Sequence, residues 1–185
     1  MTNVLIVYGT SYGQTAKVAQ HVGSLLRCFE LSATIARADR LPRGLAVDEY
    51  DAVLIGASIN FGRYQRSVAR FIADHSSALN RVPSAFFSVS GTRPLTPRLH
   101  ARAQRLAQHF VASLGWRPVE IATFAGAAAY TRYPLRTRWL ILAITALEHG
   151  PTDTHRDHEF TDWSEVGAFA GRMATRIAPP VAHMI

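Results

Sequence analysis

The sequence predicts an α/β fold, a doubly wound parallel sheet of five strands with helices on both faces, and three observations predict it. Continuous apolar runs recur along the chain, "NVLIVY" (3–8), "YDAVLIGAS" (50–58) and "PSAFFSVS" (83–90). Unbroken runs of this length suit parallel strands buried on both faces, not half-exposed strands that alternate. Between them lie stretches whose apolar residues repeat at helical spacing. Several of the runs then open into loops of Gly, Ser, Thr and Asn. Strands alternating with helices in this way mean parallel crossovers.

Each element follows in order. After the first strand, residues 14–29 place Ala16, Val18, Ala19, Val22, Leu25, Leu26 and Phe29 on one helical stripe. Cys28 falls beside that stripe and is expected as a buried structural thiol. "LSATIA" (31–36) alternates weakly and reads as a second strand, and 50–58 is the third. In "QRSVARFIADHSSAL" (65–79), Val68, Phe71, Ile72 and Leu79 share a face. The fourth strand is entered through Pro83, a position that suits proline. "RLHARAQRLAQHFVASLG" (98–115) reads as a helix ended by Gly115, a left-handed cap. "EIATFAGAAAY" (120–130) is the fifth strand. "DWSEVGAFAGRMATRI" (162–177) is a closing helix with Asp162 as N-cap. Residues 1–178 are expected to form one domain, with 132–150 an insertion and 179–185 a tail.

Composition narrows the function. The 185 residues carry a formal charge of +7 and 48% hydrophobic residues, which excludes a disordered chain. The charge is uneven: from Ala52 to Leu147 there are twelve Arg and only two acids, Asp74 and Glu120. A basic field of this kind attracts anionic small molecules, lipid or nucleic acid. One cysteine excludes an internal disulfide framework and fits a reducing compartment. No stretch reads as a secretion signal, and no apolar run reaches the roughly 20 residues of a membrane span. The expectation is a cytoplasmic protein that does not cross a bilayer.

In a doubly wound sheet, ligands sit outside the carboxyl ends of the strands, at the switch point. Three loops converge there. "YGTSYGQT" (8–15) offers Thr10, Ser11, Tyr12, Gly13, Gln14 and Thr15, a set of hydroxyls and backbone N–H groups at a helix start that suits a phosphate. It lacks the Lys of a P-loop, and GxGxxG is absent as well, which argues against nucleotide hydrolysis and a Rossmann dinucleotide site. "GASINFGRYQ" (56–65) supplies Ser58, Ile59, Asn60, Phe61 and Gly62, with Phe61 and Tyr64 available to the faces of a planar ring. "SVSGTRP" (88–94) supplies Ser88, Val89, Ser90 and Gly91 to the ring's edge. Phosphate, ring face and ring edge together point to flavin mononucleotide, FMN.

At these residues the sequence resembles known proteins. "TSYGQT" resembles the phosphate loop of the flavodoxin family, [ST]-x-T-G-x-T, with Tyr12 where the middle Thr usually stands. "YDAVLIGASINFGRYQ", "PSAFFSVS", "WRP" (116–118), "AGAAAYTRY" (125–133) and "TDW" (161–163) together resemble the flavodoxin-like, menaquinone-dependent protoporphyrinogen IX dehydrogenases. The resemblance implies strand order 2-1-3-4-5 and FMN as cofactor. It also implies oxidation of protoporphyrinogen IX to protoporphyrin IX in haem biosynthesis, with menaquinone or ubiquinone as acceptor. Such a substrate carries two propionates, which Arg binds well. Arg93, Arg98, Arg132, Arg136 and Arg138, on the loops after strands four and five, are the candidates. No general base declares itself, and His100, Tyr130 and Tyr133 are candidates by location only. A flavodoxin-type electron carrier and an NAD(P)H:quinone reductase are the alternatives, although carriers are usually acidic and no nicotinamide site is evident. A nucleic-acid partner is not expected, because a basic binding module has no use for flavin-shaped loops.

"RYPLRTRWLILAITALEHG" (132–150) lies outside a minimal fold of this kind and is apolar nearly all round between Arg138 and His149. Such a helix must be buried in protein or against lipid, and the Arg and Trp at its start are those of an interfacial segment. The expectation is docking on the cytoplasmic face of the inner membrane, with internal packing or a homo-oligomer contact as the other outcomes. "HRDHE" (155–159) is too sparse to hold a metal by itself, and none is expected.

Overall fold

The computed structural model describes residues 2–60, 62–90, 97–128 and 157–178, and among these every side chain except those of 97–99 and 128. Strands β1 (Asn3–Gly9), β2 (Ser32–Arg37), β3 (Ala52–Ile59), β4 (Ser84–Ser90) and β5 (Glu120–Ala125) form one sheet in the order β2-β1-β3-β4-β5. Every neighbouring pair in it is parallel. Four described helices accompany it: α1 (Gln14–Cys28), α2 (Arg66–Leu79), α3 (Pro97–Ser113) and α4 (Trp163–Ile177). A second, two-stranded antiparallel ladder pairs β6 (Ala127–Ala128) with β7 (His158–Glu159).

The burial pattern explains why three strands are continuous apolar runs. In β1, Val4, Leu5, Ile6 and Val7 are each fully buried, and their side chains point alternately into two separate cores. Val4 and Ile6 meet Val18, Val22 and Leu26 of α1 and Phe169 and Met173 of α4. Leu5 and Val7 meet Phe71, Ile72 and Leu79 of α2 and Val111 of α3. Both faces of the sheet are therefore covered, and a polar residue at any of these strand positions would lose its water without a partner. β2 and β5, at the edges, are only partly buried, which is why their apolar pattern is weaker.

The expected helix ends hold. Asp162 caps α4, its carboxylate accepting from Ser164 N at 2.9 Å and Glu165 N at 3.3 Å. Gly115 takes a left-handed φ of 69° just beyond α3.

Two expectations are corrected. Cys28 is exposed, and so is Phe29 at 53%. Cys28 lies two residues past the buried Leu26, about 200° around a helix of roughly 3.6 residues per turn, and α1 has ended before Phe29 can face the core. The fifth strand does not run to Tyr130 within the sheet. It stops at Ala125: Gly126 passes so close to β4 that a Cβ there would lie 2.4 Å from the Ser90 carbonyl oxygen, and its own carbonyl accepts from Phe160 N at 2.8 Å. The chain then leaves the sheet through Ala127–Ala128, which pairs with His158–Glu159.

Candidate functional site

The sheet order reverses between β1 and β3, so the loops after those strands splay apart and leave a crevice at their carboxyl ends. The register sets the heights: Gly9 is level with Ala57, Ile59 with Ser90, and Ser90 with Ala125. The loops beginning at Thr10, Asn60 and Gly126 therefore leave the sheet at one edge.

The first loop presents groups that suit an anion. Gly13 precedes α1 with a left-handed φ of 98°, and its N–H donates to Thr10 Oγ1 at 2.8 Å, folding the loop back on itself. No side chain caps the helix and no acid stands in its first turn, so its positive end is open. Thr15 is fully buried, and its Oγ1 has no hydrogen-bond partner among the described residues. An orphaned buried hydroxyl costs about 1–3 kcal/mol unless a ligand satisfies it. Thr15 Oγ1, the uncapped amides and the folded-back Thr10 fit a phosphate ester, and with it the flavin the sequence calls for. Gln14 turns away from this position, donating from Nε2 to Thr161 Oγ1 at 2.9 Å, and Thr161 Oγ1 donates in turn to the Ala125 carbonyl at 2.9 Å. Tyr12, Gly13 and Gln14 line a cleft of about 220 Å³ together with Lys17, Ala127, Asp157 and Glu159.

The second loop is held by a tight turn. Asn60 and Arg63 exchange backbone hydrogen bonds of 2.9 and 3.0 Å, and Gly62 between them has φ 74°. Phe61, expected against the ring, lies outside the described residues. Ser58 is gripped by Gln65, whose Oε1 accepts from Ser58 N at 3.2 Å and whose Nε2 donates to the Ser58 hydroxyl and, at 3.1 Å, to Ser11 Oγ. Ile59 is half-buried beside it.

Tyr64 is a correction. It does not offer its ring to the cleft but packs against Phe110 and Phe86, with centroids 4.3 and 5.4 Å away. Its hydroxyl donates to Ser88 Oγ at 2.9 Å, and burial pushes its ionisation up to about 12, so it stays neutral. Ser88 is accordingly buried, its side chain turned under the sheet to Tyr64, and Val89 faces the opposite core. At these two positions only the backbone is left for a ring edge. Ser90 is half-exposed, and His100 stands near it, both lining a small crevice with Thr123.

Gly91, Arg93, Arg132, Arg136, Arg138, Tyr130 and Tyr133 lie outside the described residues, as does the side chain of Arg98. Gln65 and Thr161 are site-building residues beyond those named from the sequence. A Gln at a helix N-cap, a place where Ser, Thr, Asp or Asn is usual, is the signal that marks Gln65. A groove of about 460 Å³ outside these loops lies between residues 38–41 and α2 and is lined by Arg66, Arg70 and Phe71.

Comparison with known proteins agrees with this geometry. A family model described as a flavodoxin domain matches residues 5–155. The chain belongs to the flavodoxin family. Within the family it belongs with proteins named protoporphyrinogen IX dehydrogenase [quinone]. It is 34% identical over 170 residues to the Escherichia coli K12 protein of that name, covering 92% of this chain and 93% of the other. It is 30% identical over 174 residues to the Leishmania major protein so named, covering 92% and 74%. Flavodoxin 1 from Bacillus cereus superposes with a TM-score of 0.58 at 14% identity, covering 96% of this chain and all of that one (100%). An archaeal flavodoxin gives 0.54 at 16% identity, covering 95% and 99%. These two share the flavodoxin fold with this chain. The strand order is the one the family resemblance implied.

Proposed function

We propose that this protein is a flavin enzyme that oxidises protoporphyrinogen IX to protoporphyrin IX and passes the electrons to a quinone, as a step of haem biosynthesis. The observation that carries the reading is the β1–α1 loop, where a buried Thr15 hydroxyl without a partner meets an uncapped helix start. The relatives that share 92% of the chain supply the substrate class through their name. Thr10, Ser11, Thr15 and the first amides of α1 hold the phosphate of FMN, and the loops after β3 and β4 hold its ring. When bound, the flavin supplies two-electron redox chemistry, and the reaction takes roughly three such steps per porphyrin. The protein's part is to fix the phosphate, shield the ring and bind the substrate's carboxylates, for which Arg93, Arg98, Arg132, Arg136 and Arg138 are the proposed groups.

The acceptor is menaquinone or ubiquinone, which dissolves in lipid. Among the described residues no helix is long and apolar enough to cross a membrane. The proposal is peripheral attachment on the cytoplasmic face of the inner membrane, through the apolar and basic sequence 132–150. The test is an anaerobic assay of FMN-loaded protein with protoporphyrinogen IX, with and without a menaquinone analogue. Porphyrin fluorescence should rise only with quinone, in step with quinol formation. Flavin reduction by NADPH with no response to protoporphyrinogen would overturn the reading in favour of a reductase.

A further inference from the structure

Gln65 joins two loops that are far apart in sequence. Its Oε1 accepts from Ser58 N–H at 3.2 Å, and because a backbone amide only donates, this contact settles which end of the side chain is oxygen. Nε2 therefore faces Ser11 Oγ, at 3.1 Å, and Ser58 Oγ, and it donates to both. A hydroxyl that accepts in this way still has one proton to give. Among the described residues, neither Ser11 nor Ser58 gives that proton to a protein acceptor. Thr10 repeats the pattern, its Oγ1 accepting from Gly13 N at 2.8 Å. The backbone makes room for this arrangement at Gly9, where a Cβ would come 3.0 Å from Gln65 Oε1 and 2.5 Å from Val68 Cγ2. Although Gln65 is the N-cap residue of α2, its side chain does not cap that helix.

We propose that Gln65 is a positioning residue that holds the Ser11 hydroxyl from behind as an acceptor, so that its proton is left for a ligand and the first loop selects a ligand group that only accepts. A phosphate dianion is such a group. The terminal hydroxyl of riboflavin, which both donates and accepts, gains less from a fixed donor. The inference rests on the flavin reading above and adds to it a residue that sets the choice between FMN and its dephosphorylated form. The Ser11 proton is supplied to the phosphate only while Nε2 occupies the lone pair on its far side. Without Gln65 that hydroxyl is free to rotate, and its exposed position lets water take the proton.

The experiment measures FMN and riboflavin affinity of the apoprotein by quenching of flavin fluorescence. Gln65→Leu should weaken FMN by about tenfold or more, the scale of a hydrogen bond to a charged group, and riboflavin distinctly less. Gln65→Glu, nearly isosteric, should weaken FMN further still, because its carboxylate captures the Ser11 proton and repels the phosphate. Ser11→Ala, at an exposed position that the fold does not need, should give the same selective loss of FMN. Combined with Gln65→Leu it should add little, because the two act through one proton. Equal losses of FMN and riboflavin in Gln65→Leu would reduce Gln65 to a structural role and overturn the proposal. So would a Ser11→Ala effect that adds in full, or a Ser11→Ala variant that binds FMN as wild type does. A wild type that binds no FMN would instead overturn the flavin reading on which the proposal stands.

Discussion

Lys17, the chain's single lysine, meets Glu159 at 3.0 Å, joining the first turn of α1 to β7. Partial burial alone would push the Glu159 carboxyl up. The hydrogen bond and charge of Lys17, with the Trp163 indole N–H at 2.9 Å, outweigh it and hold the group below its usual range. A carboxyl lowered by folding contributes stability above its unfolded value of about 4.3, and loses it as pH falls through the folded value. Glu159→Gln should therefore destabilise slightly near neutral pH and match wild type in strong acid. Both partners are partly exposed, so the difference is at most about 1 kcal/mol and shrinks in high salt. Urea melts across the acid range check it, and an equal loss at every pH would refute the linkage.

The orphaned Thr15 hydroxyl makes a sharper prediction. Thr15→Val keeps the shape of a fully buried side chain and removes the unsatisfied oxygen, so the apoprotein should be unchanged or more stable. The same variant should bind FMN about tenfold or more weakly, since a donor to a charged group is lost. Gly13→Asp should be worse on both counts, because φ 98° is a strained conformation for a side chain and the added charge faces the phosphate. Thermal melts of the apoprotein beside flavin titrations separate the effects. A Thr15→Val variant that binds FMN normally would place the phosphate elsewhere.

Trp116 shows how a polar chain is buried without loss. Its indole N–H donates to Ser84 Oγ at 2.9 Å, and Ser84 donates to the Leu79 carbonyl at 2.8 Å, with Trp116 and Ser84 almost wholly buried. Ser84→Ala strips the partner from the indole and the donor from the carbonyl together. The expected cost is about 1–3 kcal/mol, seen as a lower urea midpoint at constant slope. A neutral Ser84→Ala would mean that water reaches this position.

The residues that were legible in the sequence are those whose environment is set by their own neighbours in the chain. β1, β3 and β4 announce themselves because both faces are covered, and the Asp162 cap and Gly115 turn depend on one helix end each. The first loop was legible for the same reason, since a strand, a hydroxyl-rich turn and a helix start are consecutive. Tyr64 was not, because its burial is decided by Phe110 of α3 and Phe86 of β4, which the fold brings in from elsewhere. Gln65 is only half legible: an unusual residue at a helix N-cap marks the position, but its partner Ser11 is 54 residues away, and no local pattern records the contact. At Gly126 the chain turns to residues 158–160, more than thirty positions on, so the fifth strand reads five residues too long.

The last prediction concerns the proposed membrane attachment, and it follows from sequence, since 132–150 lies outside the described residues. Trp139, Leu140, Ile141, Leu142, Ile144 and Leu147 fall within ten residues, with Arg132, Arg136 and Arg138 just before them. Burying even part of these side chains in a lipid interface is worth several kcal/mol at about 25 cal/mol per Å². Each nearby Arg adds about 1 kcal/mol at an anionic surface. The run is roughly half the length needed to span a bilayer, so the binding should be reversible and not an insertion. Wild type should sediment with anionic vesicles, less with neutral ones, and less again as salt is raised. Leu140→Asp with Leu147→Asp should abolish sedimentation while circular dichroism and FMN binding stay at wild-type values. Arg136→Gln with Arg138→Gln should lower binding to anionic vesicles only. A wild type that stays in the supernatant, or a double Asp variant that loses its fold, would assign the segment to the protein interior or to a contact between two copies of the chain.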